Sequence, residues 1–164
     1  MPNAEDLFLP SLRKALQFAT ESLSAERAMV VYQGCGSLQG LDAPTLWLSG
    51  EISTGLFQML LEEGEPMVMV DAAEDERTRD QTSAILSALR SVLFVPLRNA
   101  GGTLVGLFYC DHRRRAGAFD NQQLGVAKQF VDETLLPELH EACRGLEGEE
   151  GTLDWEALTE TAWL

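Results

Sequence analysis

The stretch RSVLFVPLRNAGGTLVGLFYCD, residues 90–111, decides the fold class of this chain. Its two apolar runs, Ser91–Leu97 and Thr103–Cys110, are rich in β-branched and aromatic residues, which favour strands. Between them, Asn99-Ala100-Gly101-Gly102 supplies small residues that tolerate the positive φ angles of a tight turn. Because nearly every residue of both runs is apolar, both faces of the pair should be covered. We therefore predict a β-hairpin in the middle of a sheet that is packed between two layers.

The flanking sequence predicts an order of helices and strands that gives a mainly antiparallel sheet. Apolar residues recur at helical spacing in four segments and form short strand-like runs in three others. The predicted helices are Ser11–Leu23, Ser53–Glu63, a short one near Ser83–Leu89, and Phe119–Cys143, which Pro137 should kink. The predicted strands before the hairpin are Glu26–Gln33, Thr45–Leu48 and Pro66–Val70. This order is typical of an α+β domain.

The composition argues against several classes of protein. The net charge is −14, and half of it lies from Glu138 onward, whereas nucleic-acid binding requires a basic face. No apolar run approaches the ~20 residues of a membrane span. The first residues also lack the basic and apolar pattern of a signal peptide. We therefore expect a cytoplasmic protein with no nucleic-acid partner and no membrane partner.

The three cysteines are odd in number and far apart, so we expect reduced thiols. Cys35 lies between two glycines whose amides could lower its pKa, which leaves redox sensitivity open beside an ordinary loop position. Cys110 ends a core strand and should be a buried apolar filler. His140 and Cys143 form half of a possible metal site, but no other ligands have a recognisable spacing. We expect no metal and no cofactor.

Two charged segments each allow a structural and a functional interpretation. The densest is Asp71–Gln81, with Asp71, Asp75 and Arg77, which is either an ion-paired loop or a ligand contact. No nucleophile or second base accompanies these carboxylates, so we predict no catalytic residue and a protein that is not an enzyme. The basic cluster Arg113-Arg114-Arg115 is either a solvated loop or a contact to a phosphate or an acidic partner.

The hairpin and its surroundings resemble the GAF domain, a small-molecule-sensing module. The likeness is strongest to the GAF domains of bacterial enhancer-binding transcription activators and serine/threonine kinases, and it covers roughly residues 10–143. It rests on Ser91, Val95-Pro96-Leu97, Gly101-Gly102, Gly106, Tyr109, Asp111 and Phe119. The resemblance implies a GAF-like α+β domain over residues 1–145. Its terminal helices should cover one face of a mostly antiparallel sheet, and a loop and short-helix lid, Asp71–Leu89, should cover the other.

The resemblance also implies where a ligand would bind, without identifying it. The candidate ligand-pocket residues are Asp71, Asp75, Arg77, Ser83, Phe94 and Tyr109. Cyclic-nucleotide-binding GAF domains carry Asn-Lys and Asp-Glu pairs, where this chain has Asp111-His112 and Gln123-Leu124. GAF proteins that reduce free methionine sulfoxide carry a cysteine in the lid, and Asp71–Leu89 contains none.

The last residues, 146–164, read as an acidic linker followed by an amphipathic segment. The candidate partner-binding residues are its large apolar side chains, Trp155, Leu158, Trp163 and Leu164. They either dock into a protein partner or fold back on their own domain. We also predict a homodimer through the terminal helices, because the apolar stripes Leu12–Leu23 and Leu124–Leu135 should leave surface for a second copy.

Three functions stay open from the sequence. We favour a signalling adaptor that acts through protein–protein interaction. The alternatives are a small-molecule-sensing regulatory domain and a thiol-based redox enzyme or sensor. A partly polar cavity beneath the lid would favour the sensing domain. A face filled by Leu86, Leu89 and Phe94 would favour the adaptor.

Overall fold

The computed structural model describes residues 4–35, 45–47, 54–72, 74–76 and 89–145. Its α-helices are α1 Ala4–Glu21, α2 Thr54–Glu63, α3 Asn121–Phe130 and α4 Leu136–Gly145. Its strands are β1 Arg27–Tyr32, β2 Thr45–Trp47, β3 Met67–Met69, β4 Ser91–Arg98 and β5 Leu104–His112. A π-helical turn, Val131–Leu135, joins α3 to α4. The predicted α+β class is confirmed.

The five described strands form one sheet in the order β2-β1-β5-β4-β3, and the paired neighbours are antiparallel. The predicted hairpin is β4–β5, and β5 lies at the centre of the sheet. In its turn, the side-chain oxygen of Asn99 accepts hydrogen bonds from the amides of Gly101 and Thr103, both at 3.0 Å. Gly102 has a φ of 84°, which favours glycine.

Gly106 lies where two strands of the sheet approach each other closely. It lies opposite Tyr32 of β1 and Leu97 of β4 in the sheet register. A Cβ atom at this position would stand 2.1 Å from the carbonyl oxygen of Val31. Glycine is therefore required for β5 to approach β1 this closely.

The two faces of the sheet are covered by different elements. Helices α1, α3 and α4 and the π-helical turn pack on one face, which we call the helix face, over Val30, Phe108 and Cys110. Helix α2 packs on the other face, the α2 face, where Phe57 and Leu60 meet Met29 and other apolar side chains of the strands. The placement of the terminal helices on one face is as predicted.

The apolar stripes of the terminal helices are used inside the domain. The fully or nearly fully buried members are Leu12, Ala19, Leu23, Ala127, Val131 and Leu135. Among the described residues, the exposed large apolar side chains are Val70 and Val126. The stripes therefore leave little surface of the kind on which the homodimer prediction depends, and the dimer stays a prediction.

Helix α1 begins earlier than its local signals indicate. Pro10 and Ser11 predict a start at Ser11, but the helix begins at Ala4 with Pro10 inside it. The extension buries Phe8, whose ring centroid lies 5.8 Å from that of Tyr32. Ser11 is therefore not an N-cap, and its hydroxyl donates to Glu138 of α4 at 3.1 Å.

The long C-terminal helix begins and bends at identifiable residues. Asp120 and Gln123 form a capping box, so α3 begins at Asn121 instead of Phe119. The bend expected at Pro137 is a π-helical turn, in which the amide of Leu136 donates to the carbonyl of Val131. Pro137 has no amide hydrogen for the carbonyl of Glu133, which accounts for the wider turn just before it. Within the described ranges, no helix combines the length and apolarity needed to cross a bilayer.

Candidate functional site

Phe94 and Tyr109, two of the predicted pocket residues, lie side by side on the α2 face. They are cross-strand partners in β4 and β5, and both are buried. The Tyr109 ring also packs at a tilt against Phe57 of α2, with 4.5 Å between the centroids. Leu89, at the end of the predicted lid, is buried in the same cluster. The described part of this face is thus filled by apolar side chains.

A buried polar cluster joins Tyr109 to two residues that the pocket prediction missed, Arg27 and Asp111. The Tyr109 hydroxyl donates to Asp111 Oδ2 at 2.7 Å. Arg27 donates from Nε to Asp111 Oδ1 at 2.8 Å and from Nη2 to Oδ2 at 2.6 Å. Arg27 and Asp111 are direct cross-strand partners in β1 and β5, so the cluster connects two adjacent strands. The signal for this cluster in the sequence is a charged residue near the end of an apolar strand, Arg27 at the start of β1 and Asp111 near the end of β5.

The protonation states of this cluster follow from burial and from the charge of Asp111. Burial raises the pKa of Tyr109 well above its ordinary value, and the neighbouring carboxylate raises it further. Burial alone would lower the pKa of Arg27, but the hydrogen bonds and charge of Asp111 raise it. Tyr109 therefore stays a neutral donor and Arg27 a cation. This bidentate pair suits a structural link between strands better than acid–base chemistry.

The remaining predicted pocket residues are only partly covered by the structure. Asp71 follows β3 and pairs with Arg90 across 3.5 Å, with its side chain 25% exposed. Asp75 is half-buried. Arg77 and Ser83 lie outside the described residues. So do the predicted lid helix apart from Leu89, and the partner-binding candidates Trp155, Leu158, Trp163 and Leu164.

The basic cluster after β5 has an acidic partner within the chain. Arg113 and Arg114 reach Glu26 at 2.8 and 3.4 Å. Burial would raise the pKa of Glu26, but the hydrogen bond and charge of Arg113 lower it. The hydroxyl of Ser91 donates to the carbonyl of Arg115 at 2.8 Å and accepts from the amide of Ala118 at 3.0 Å. The cluster therefore holds the β5–α3 connection against the sheet.

Cys35 and Cys143 form a disulfide, which the sequence interpretation missed. They are 108 residues apart, and their Cα atoms lie 5.5 Å from each other, within the usual range for a disulfide. Cys35 follows the end of β1, and Cys143 lies near the end of α4. The prediction of three reduced thiols is wrong for this pair. Cys110 is a free thiol in the core, as predicted, and burial raises its pKa well above the ordinary value.

A cleft of about 430 Å³ borders the disulfide on the Cys143 side. The end of β1, the β4–β5 turn and α4 line it, through Tyr32, Gly34, Asn99, Ala100, Pro137, His140, Cys143 and Arg144. The buried Tyr32 ring lies between Phe8 of α1 and His140 of α4, whose ring centroid is 6.0 Å away. A Cβ atom on Gly34 would stand 2.5 Å from that ring, so glycine is required for the chain to turn toward Cys35 here.

The cleft changes the interpretation of the possible His140–Cys143 metal site. The two residues do share one face of α4. However, the sulfur of Cys143 is bonded to Cys35 and is not a free thiolate ligand. Across the described ranges, no group of three or more potential metal-ligating side chains occurs. The site therefore places a disulfide, and not a pair of metal ligands, beside the cleft.

The family model of the GAF domain matches residues 9–134, which include all five described strands and most of the π-helical turn. The chain belongs to the GAF domain family. This GAF domain has a fold that is used in regulation and signalling, as the sequence resemblance implied. A search of the curated proteins found no match.

Solved structures with the same fold include two enzymes and a GAF domain/HD domain protein. A type II free methionine-R-sulfoxide reductase from Thermoplasma acidophilum is 14% identical with a TM-score of 0.61, over 85% of this chain and 96% of the other. The free methionine-R-sulfoxide reductase of Neisseria meningitidis is 17% identical with a TM-score of 0.57, over 85% and 81%. A GAF domain/HD domain protein from Geobacter sulfurreducens is 12% identical with a TM-score of 0.57, over 85% and 97%.

These structures correct one prediction. The prediction that this chain is not an enzyme is wrong as an inference from its fold, because two of the similar structures are enzymes. A shared fold at such low identity does not assign their reaction to this chain. Enzymatic activity is therefore compatible with this GAF domain, and its function has to be argued from its own residues.

Proposed function

We propose that this GAF domain is a regulatory module whose state is set by the thiol or disulfide form of Cys35 and Cys143. The observation that carries the proposal is the position of the bond. It joins the sheet, at the end of β1, to α4, the last described helix. In a reducing compartment such as the expected cytoplasm, a disulfide is usually transient and either catalytic or redox-sensing.

The other contacts that hold α4 are weaker than a covalent bond. Glu138 accepts from Ser11 and pairs with Lys14 at 2.5 Å, but the Lys14 pair is exposed and contributes about 0–1 kcal/mol. Leu136 and Leu139 are buried against the helix face. Breaking the disulfide therefore leaves the N-terminal half of α4 packed and frees its C-terminal half.

The output of this module, in our proposal, is the acidic segment 146–164. Gly145, the last residue of α4, directly precedes it, so any change in the end of α4 moves the point where the segment begins. Trp155, Leu158, Trp163 and Leu164 supply the anchors for a protein partner. Deleting residues 152–164 should abolish capture of that partner and leave the melting temperature of the domain unchanged.

A redox titration tests the proposal. The Cys110→Ser variant, in which only the pair can titrate, is equilibrated in buffers of graded potential that contain both glutathione and a dithiol protein of the thioredoxin class, and it is alkylated before mass spectrometry. We expect the disulfide to open and close at potentials above about −300 mV, because structural disulfides resist reduction to lower potentials. A bond that stays closed throughout that range would make it a structural staple and overturn the proposal.

A second candidate function is the sensing of a small molecule on the α2 face. The observation that favours it is the buried cluster of Tyr109, Asp111 and Arg27 on the side where the family resemblance puts a pocket. Native mass spectrometry of gently purified protein tests it. A small molecule that the wild type retains and Tyr109→Phe loses would support sensing, and an unmodified mass for both would exclude it.

A further inference from the structure

We infer that the reactants of this disulfide are low-molecular-weight thiols that carry carboxylates, and that they attack the sulfur of Cys143 from the cleft. The inference rests on the proposed function, since it takes the pair to be redox-active. It adds the sulfur that is attacked and the chemical class of the reactant.

The burial of the two cysteine residues indicates which sulfur is attacked. Cys35 is fully buried, whereas Cys143 is 7% exposed and forms part of the cleft wall. A thiolate must approach a disulfide sulfur directly, so access selects the sulfur that reacts. The reactive sulfur is therefore that of Cys143, and the sulfur of Cys35 is the leaving group.

The size of the cleft selects a small reactant. Its volume of about 430 Å³ lies in the range of small-molecule sites, about 300–1,000 Å³. Because Cys143 is recessed, a cysteine on the surface of another protein would have to enter the cleft to reach it. A thiol of the size of cysteine or glutathione enters without any change in the fold.

The polar lining selects a reactant with carboxylates. Asn99, His140 and Arg144 line the cleft together and supply hydrogen-bond donors from the turn and from α4. Arg144 pairs with Glu141 on an exposed surface, which is a weak interaction that a ligand carboxylate can replace. A carboxylate-bearing thiol thus finds a cation beside the sulfur that it attacks.

The exchange is balanced without a metal or a further oxidant. The thiolate forms a new bond to Cys143 Sγ, the bond to Cys35 breaks, and the electron pair leaves on Cys35 Sγ, which takes a proton from solvent. A second thiolate attacks the sulfur of the first reactant. This step releases an oxidised dimer of the small thiol and the Cys143 thiolate. Two thiols are oxidised and one protein disulfide is reduced.

The test uses the full chain and oxidised glutathione as the probe. In Cys35→Ser, we expect a glutathione adduct on Cys143. In the matched variant Cys143→Ser, we expect Cys35 to stay unmodified under the same conditions. The buried Cys110 is the internal control in both. An adduct on Cys35 equal to that on Cys143, or none on Cys143, would overturn the inference.

A second measurement keeps the inference testable if the variants fold poorly. Wild-type protein is reduced with glutathione, quenched by alkylation and digested, and the mixed disulfide should map to Cys143. Arg144→Gln should slow this reaction about two- to fivefold, with no change for 2-mercaptoethanol, which is uncharged and has no carboxylate. If Arg144→Gln leaves the rate with glutathione unchanged, or slows both thiols equally, the claim about carboxylates is wrong.

Comparison with a dithiol protein of the thioredoxin class separates this inference from the proposed function. If that protein opens the disulfide and glutathione does not, the pair is redox-active but its reactant is a protein, and only this inference fails. If neither opens it in the folded domain, both fail.

Discussion

Strand β1 has a long-range link at each end, and the two links differ in kind. At its start, Arg27 pairs with Asp111, 84 residues away, on the α2 face. Just beyond its end, Cys35 is bonded to Cys143, 108 residues away, on the helix face. The first link is enclosed and lies within the sheet. The second borders a cleft and reaches the last helix.

This difference separates what fixes the fold from what can change its state. Arg27 donates to both carboxylate oxygens of Asp111, and both residues are buried. The ion pair therefore stabilises the sheet as long as both charges are present. The disulfide can be reduced to two thiols, and a cleft borders it. In this account, one end of β1 holds the domain together and the other end regulates it.

Removing the carboxylate of the first link should have the largest effect. Asp111→Asn leaves the Arg27 guanidinium buried without its counter-charge, which typically costs about 3–5 kcal/mol. The matched control is Tyr109→Phe, which removes one hydrogen bond to a charged group and should cost about 1.5–3 kcal/mol. Urea denaturation measures both. A loss below about 1 kcal/mol for Asp111→Asn would show that the pair does not hold the sheet.

Truncating the aromatic ring beside this link should cost nearly as much. Phe94 is fully buried on the α2 face next to Tyr109, so Phe94→Ala should lower the free energy of unfolding by about 3–5 kcal/mol. Val126→Ala, at an exposed position of α3, is the control and should change it little. If the two variants are equally stable, the α2 face is not a packed core.

Breaking the second link should destabilise the domain less. Under non-reducing conditions, Cys143→Ser should lower the free energy of unfolding by about 2–4 kcal/mol, because the bond restricts a long loop of the unfolded chain. Dithiothreitol should reproduce this loss in the wild type. In the double variant Cys35→Ser, Cys143→Ser, it should have no further effect. If the wild type has the same denaturation curve with and without dithiothreitol, the disulfide does not stabilise the domain and this prediction is wrong.

The smallest effect concerns an ion pair outside both links. The pKa of Glu26 is lowered in the folded state, so its stabilisation is present above about pH 4.5 and is lost as the pH falls through the folded pKa. Glu26→Gln should cost less than about 1 kcal/mol at pH 7. The variant and the wild type should converge in thermal melts at pH 3. If the stability difference between the variant and the wild type grows as the pH falls, the pKa of Glu26 is not lowered in the folded state.

The sequence could predict what depends on neighbouring residues. The hairpin follows from two apolar runs and a short turn, and its register brings Phe94 beside Tyr109. The start of α1 could not be predicted this way, because burial of Phe8 against Tyr32 outweighs the stop signal of Pro10.

Both long-range links escape sequence reasoning for the same reason. Arg27 meets Asp111 only once β1 pairs with β5, and Cys35 meets Cys143 only once α4 packs beside the end of β1. Each residue looks ordinary in its own segment. The pairing depends on the tertiary fold, which the spacing of the two partners does not reveal.

Hydrogen exchange measured by mass spectrometry tests the central claim most directly. The wild type is compared in its disulfide and reduced forms, with the double variant Cys35→Ser, Cys143→Ser as the reference for the open state. We predict that reduction removes protection from residues 141–145, the C-terminal half of α4, and leaves β5, Leu104–His112, protected. Equal protection of α4 in both forms would contradict the claim that this disulfide controls the last helix.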